Sequence, residues 1–119
     1  MKKENVIRDK SYNFALRIIK LNQWMVNDSK EYVLSKQILK SGTSIGANIE
    51  EAIGGQSKKD FRAKMFISYK EARETHYWLR LLKDSELIPL KIANSLLKDC
   101  EELKKILSSI LLTLNKTNS

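Results

Sequence analysis

Apolar positions recur along the chain with the period of a helix, four times over. Ile7, Phe14, Ile18, Leu21 and Met25 follow one another at spacings of three, four and seven residues, one stripe of an α-helix. Leu34, Ile38, Ser41, Ile45, Ile49 and Ala52 form a second stripe, and Phe61, Met65, Ser68, Ala72, Thr75, Leu79 and Leu82 a third. Ala93, Leu96, Leu97, Cys100, Leu103, Leu107, Ile110, Leu111 and Leu114 form the fourth. The spacing predicts helices over about residues 5–27, 29–53, 58–84 and 89–115. Asp28 with Glu31 three residues on reads as a helix start, Gly54-Gly55 as a stop, Ser57 with Asp60 as a cap, and Pro89 as a first-turn residue. Short connections between amphipathic helices make neighbours antiparallel. The expected fold is an all-α, antiparallel up-down-up-down four-helix bundle, a single domain over residues 1–119.

The stretch SGTSIGANIEEA, Ser41 to Ala52, has the composition of a loop or a phosphate cradle. No Gly-Lys-Ser/Thr follows its glycines and no strand precedes them, so it is neither a P-loop nor a dinucleotide fingerprint. Ile38, Ile45 and Ile49 keep helical phase straight through it. The stretch is therefore expected mid-helix, with Gly42 and Gly46 marking close approach of a neighbouring helix. Each glycine costs about 1 kcal/mol against alanine in a helix interior, a cost that tight contact would offset.

The chain carries 22 Lys and Arg against 14 Asp and Glu, a net charge of +8. That excess favours polyanionic partners and is spread over three of the four helical segments instead of a tail. Cys100, the one cysteine, stands among leucines and is expected to be a buried structural thiol; this suits a reducing cytoplasm. With no leader-like segment and no run near ~18 apolar residues, neither secretion nor a membrane span is expected.

The reactive groups do not assemble into a catalytic or metal-binding set. Di-metal bundles need Glu-x-x-His pairs, whereas Glu74 and His76 form Glu-x-His and point about 200° apart on a helix. The adjacent carboxylates Glu50 and Glu51, or Glu71 and Glu74, lack a partnering nucleophile or base and read as salt links or solvated faces. No catalytic residue, metal or cofactor is expected.

One surface is patterned for binding. Lys59, Arg62, Phe66, Tyr69, Arg73, Tyr77 and Arg80 fall within one arc of the third helix, interleaving cations with aromatic rings. Guanidinium groups grip phosphate as a fork and rings stack on bases, so this arc is a candidate nucleic-acid face. Protein interfaces prefer the same residue types, and an interaction scaffold is the competing reading. The first helix adds Lys10, Arg17 and Lys20, with Trp24, on one arc. It also carries Tyr12, Leu16, Ile19 and Val26 outside its core stripe, more apolar surface than a monomeric bundle needs, which points to a homo-oligomer. Lys98 and Lys105 of the fourth helix are expected to matter less for nucleic-acid binding.

The segments SGTSIGANIEEAIGGQSKKDF and KEARETHYWLRLL, with the core Ser44, Ile45, Asn48, Ile49 and Glu51, resemble the family of proteins encoded in intervening sequences of bacterial 23S ribosomal RNA genes, also labelled S23 ribosomal protein. The resemblance implies a non-enzymatic up-down four-helix bundle that assembles into a ring-like homopentamer. It also implies kinship with accessory proteins of diversity-generating retroelements, which bind nucleic acid and a reverse transcriptase. Asn48 and Glu51 would be structural polar positions of that signature.

Overall fold

The computed structural model describes residues 3–117. Four helices account for nearly all of them: α1 (Lys3–Asn27), α2 (Leu34–Ile53), α3 (Lys58–Asp84) and α4 (Leu90–Thr117). The bundle measures 48 × 22 × 21 Å.

Contacts between helices fix the topology. Gly42 of α2 backs onto Ile18 of α1, and Gly46 backs onto Ser11. Ser68 of α3 donates to Ile45 O of α2 at 2.8 Å, and the hydroxyls of Thr75 and Ser41 lie 2.9 Å apart. Between α3 and α4, the Cys100 thiol donates to Ala72 O at 3.3 Å and Arg62 donates to the Asn115 side chain. In every case a later residue on one helix meets an earlier one on the next, so neighbours are antiparallel. Each helix packs on the next, and α1 closes on α4 along the thinnest seam. The result is the up-down-up-down bundle that the periodicity predicts.

The core is the set of stripes. Ile7, Phe14, Ile18, Ile38, Ile45, Ile49, Met65, Leu79, Leu103 and Leu107 are all at most 2% exposed. At about 25 cal/mol per Å² of apolar surface, each large side chain so buried stabilises the fold by roughly 1.5–3 kcal/mol before its ordering cost. Leu34, Phe61, Leu97, Leu111 and Leu114 close the ends and flanks from half-buried positions. Small hydroxyl residues thread this core, and their polar atoms are satisfied: among the described residues no buried side-chain nitrogen or oxygen lacks a partner.

SGTSIGANIEEA is helical throughout. A Cβ added at Gly42 would lie 2.8 Å from Ile18 Cγ1, and one at Gly46 would lie 3.3 Å from Ser11 Oγ. The glycines are the price of bringing α1 and α2 together. Gly54 and Gly55 follow the last turn of α2 without positive φ. Ser57 caps α3 as its sequence suggests, accepting from Asp60 N at 3.1 Å.

One boundary differs from expectation. The second helix begins at Leu34, not near residue 29; Val33 holds its N-cap position, and the side chain that reaches its first N–H groups is Glu31's, not Asp28's. The Glu31 carboxylate accepts from Ser35 N at 2.8 Å and Val33 N at 3.4 Å. Lys30 adopts φ 57°, a left-handed turn that separates Asp28 from the helix it was expected to start. At the other connection Ala93 N donates to Pro89 O at 3.0 Å, so Pro89 does introduce α4.

Candidate nucleic-acid interface

Because the core stripe of α3 faces inward, Lys59, Arg62, Phe66, Tyr69, Arg73, Tyr77 and Arg80 are left along its flank beside α4. All are exposed except Tyr69, which is half-buried against the core. A succession of recesses follows this α3–α4 seam. The first, of about 830 Å³, is lined by Lys58, Lys59, Arg62, Phe66, Tyr69 and neighbours on α4 from Ser108 to Asn115. The next involves Tyr69, Lys104, Lys105 and Leu112; then come Lys70, Arg73, Tyr77, Arg80 and Lys104, and last Arg80, Lys83, Asn94 and Lys98. Together they make a groove in which cations outnumber the carboxylates Glu74, Asp84 and Glu101.

The aromatic residues organise those cations. Arg80 stands over the Tyr77 ring at 5.8 Å from its centroid, and Lys70 over Phe66 at 6.0 Å. Tyr77 meets Trp78 edge-on at 5.3 Å, and the Trp78 indole donates to Glu74 at 3.0 Å. Lys59 and Arg73 form no ion pair with a carboxylate among the described residues. Their charge is therefore available to an incoming anion.

Lysines of α4 belong to the same groove. Lys98, Lys104 and Lys105 line it from the opposite wall, so Lys98 and Lys105, expected from the sequence to matter less for binding, stand on the same seam as the α3 cations. The helical period shows each helix's faces but not which outward arc of α4 meets α3. The signal is visible only once the two helices are in register.

The basic residues of α1 stand apart. Arg17 is held by Asp99 of α4 at 2.6 Å and by Ser95 at 2.9 Å, and Lys10 pairs with Glu102 at 3.2 Å. Lys20 lines a separate, largely apolar recess of about 400 Å³ with Trp24, Pro89, Ile92 and Leu96. Asp99 and Glu102 thus form an acidic edge of α4 between the α1 set and the α3 groove. Lys10, Arg17 and Lys20 do not join Lys59, Arg62, Tyr69, Arg73, Tyr77 and Arg80 in one surface.

The remaining chemistry-bearing residues are engaged structurally. Burial pushes the Cys100 thiol up to about 12. Burial, and then Lys104, hold the His76 imidazole below its ordinary value, while its Nε2 lies 3.7 Å from Glu101. Burial and the neighbouring Glu74 raise Glu71. A hydrogen bond from Lys104 lowers Glu101. Glu74 and His76 point to different partners, Trp78 and Glu101, and no three His, Cys, Asp or Glu side chains converge among the described residues. Asn48 donates to Ser44 O at 2.8 Å and Glu51 pairs with Lys64 across α2 and α3 at 2.7 Å, structural uses of both signature positions. No helix among the described residues is long and apolar enough to cross a membrane.

Comparison with known proteins agrees with the fold. The family model for 23S rRNA-intervening sequence proteins matches residues 3–109. A crystal structure at 1.70 Å of a protein of unknown function from the S23 ribosomal protein family, from Bacteroides thetaiotaomicron VPI-5482, is 52% identical, with a TM-score of 0.90. The similarity covers 92% of this chain and 98% of that one. No curated protein matches.

Proposed function

The chain belongs to the 23S rRNA-intervening sequence protein family, and within that family we propose that it is a non-enzymatic, oligomeric helical bundle that binds structured RNA or DNA through a basic surface. The observation that carries this reading is the α3–α4 groove, where Lys59, Arg62, Arg73 and Arg80 of α3 face Lys98, Lys104 and Lys105 of α4 with rings between them. Arg62 and Arg80 are eighteen positions apart, roughly 27 Å at about 1.5 Å per residue, enough to follow several phosphates.

Assembly is the second part of the proposal. Tyr12, Leu16 and Ile19 are 63%, 46% and 38% exposed on the outer arc of α1, an apolar face that subunit contacts would cover. The family resemblance points to five subunits. In such an oligomer the groove repeats, and multivalent contact turns weak single-subunit binding into useful avidity. The protein would work in the cytoplasm as an accessory to a nucleic-acid enzyme such as a reverse transcriptase.

The test is salt dependence. Anisotropy with a labelled structured RNA and with duplex DNA should give a log-log slope of roughly −0.7 to −0.9 per phosphate contacted, because each contact releases counterions. A protein-interaction scaffold, the reading that the exposed α1 arc alone would favour, shows no binding to either at low salt.

A further inference from the structure

The recesses along the groove are not alike. Three of them count a carboxylate, Glu74, Asp84 or Glu101, in their walls. The one beside the start of α3 has none: its lining combines Lys58, Lys59 and Arg62 with the apolar Ala63, Phe66, Leu111 and Leu112 and the neutral Tyr69, Ser108 and Asn115. Phe66 is 52% exposed and Leu112 59%. Arg62 is steadied by a hydrogen bond to Asn115, a neutral partner that orients the guanidinium without cancelling its charge. Neither Lys58 nor Lys59 pairs with a carboxylate among the described residues.

Apolar side chains beside cations that no carboxylate neutralises suit a ligand that is apolar on one face and anionic beside it. We propose that this recess takes an unpaired nucleotide, its base stacked on Phe66 and its phosphates held by Lys58, Lys59 and Arg62. The proposal rests on the nucleic-acid reading above and narrows it to single-stranded segments such as loops, bulges or ends. In a duplex each base face is covered by its neighbours, so a duplex can engage the cations but leaves Phe66 and Leu112 wet. The recess volume of about 830 Å³ lies within the ~300–1,000 Å³ typical of small-molecule pockets, room for a base with its sugar.

The experiment compares a labelled single strand of roughly 12 nucleotides, within the ~4–16 nucleotide range of known single-strand sites, with the matching duplex at equal salt, in RNA and DNA forms. The single strand is expected to bind more tightly. Phe66→Ala should weaken it by about 5- to 150-fold, the worth of one base–aromatic stack, and weaken duplex binding far less, and Phe66→Trp should restore the single-strand affinity. Arg62→Gln should reduce the single-strand salt slope by about 0.7. Equal affinity for strand and duplex, with Phe66→Ala silent, overturns this inference and leaves the basic-surface reading standing. Binding of neither form at low salt overturns both. A fall in oligomer mass in Phe66→Ala would assign the recess to a subunit contact and also overturn it.

Discussion

A methyl group added at Gly42 would meet Ile18 Cγ1 at 2.8 Å and Cγ2 at 2.9 Å, and Ile18 is wholly buried. Gly42→Ala is therefore expected to destabilise by about 1–3 kcal/mol, against the ~1 kcal/mol that alanine gains in helix propensity. Gly46→Ala meets the Ser11 hydroxyl at 3.3 Å and its backbone at 3.5 Å, so the buried Ser11, bonded to Arg8 O, must give by a few tenths of an ångström, and the change should cost less than Gly42→Ala. Urea midpoints at unchanged slope would measure both; a Gly42→Ala variant as stable as the parent would refute the close contact. Cys100, with its thiol pushed up to about 12 by burial, should resist thiol reagents at pH 8 until the protein unfolds. Rapid labelling of the native protein would contradict its place in the core. His76 is the group expected to make stability depend on pH just below neutrality. Its folded value is lowered, first by burial and then by Lys104 and Arg80, against the pull of Glu101, whereas the unfolded chain titrates near ~6.5. The neutral imidazole's contribution is present above that value and lost as pH falls through the folded one. Tm should decline between pH 7 and 5.5, less so in His76→Gln; equal declines would show that His76 is not the cause.

The helices are legible in the sequence because burial has a period. Every position of the first stripe from Ile7 to Met25, and of the third from Met65 to Leu82, is buried. Even the glycine-rich stretch was readable, since Ile38, Ile45 and Ile49 hold phase through it. The start of α2 was not, because Asp28 and Glu31 match a capping pattern, yet the left-handed turn at Lys30 separates Asp28 from the helix and the start falls at Leu34, five residues later than expected. Two variants test which side chain serves the start of α2: Glu31→Ala should cost about 1 kcal/mol, and Asp28→Ala should stay within about 0.5 kcal/mol of the parent. The reverse order in thermal melts would restore the earlier start. The α3 face was legible from its own sequence, but its union with Lys98, Lys104 and Lys105 was not, nor was the loss of Lys10 and Arg17 to Glu102 and Asp99. Those facts depend on the rotation of α4 between its two neighbours, and periodicity within one helix carries no information about it.

At the scale of the molecule, a rod of 48 × 22 × 21 Å with net charge +8 presents an apolar α1 arc and, on the far side of the acidic edge of α4, a basic groove. Covering the arc should give a stable oligomer, so light scattering behind size exclusion is expected to read several times 13.8 kDa, and a monomer at micromolar concentration would contradict it. The central claim is that polyanion binding belongs to the α3–α4 groove and not to charge in general. The most direct measurement sets two charge-matched variants against the parent, with assembly verified in each: Arg73→Glu with Arg80→Glu in the groove, and Lys20→Glu with Lys36→Glu on exposed positions of α1 and α2. At matched low salt, the groove variant should lose RNA and DNA binding while the other retains most of it. Equal losses in the two variants, or an assembled groove variant that binds as tightly as the parent, would contradict the account.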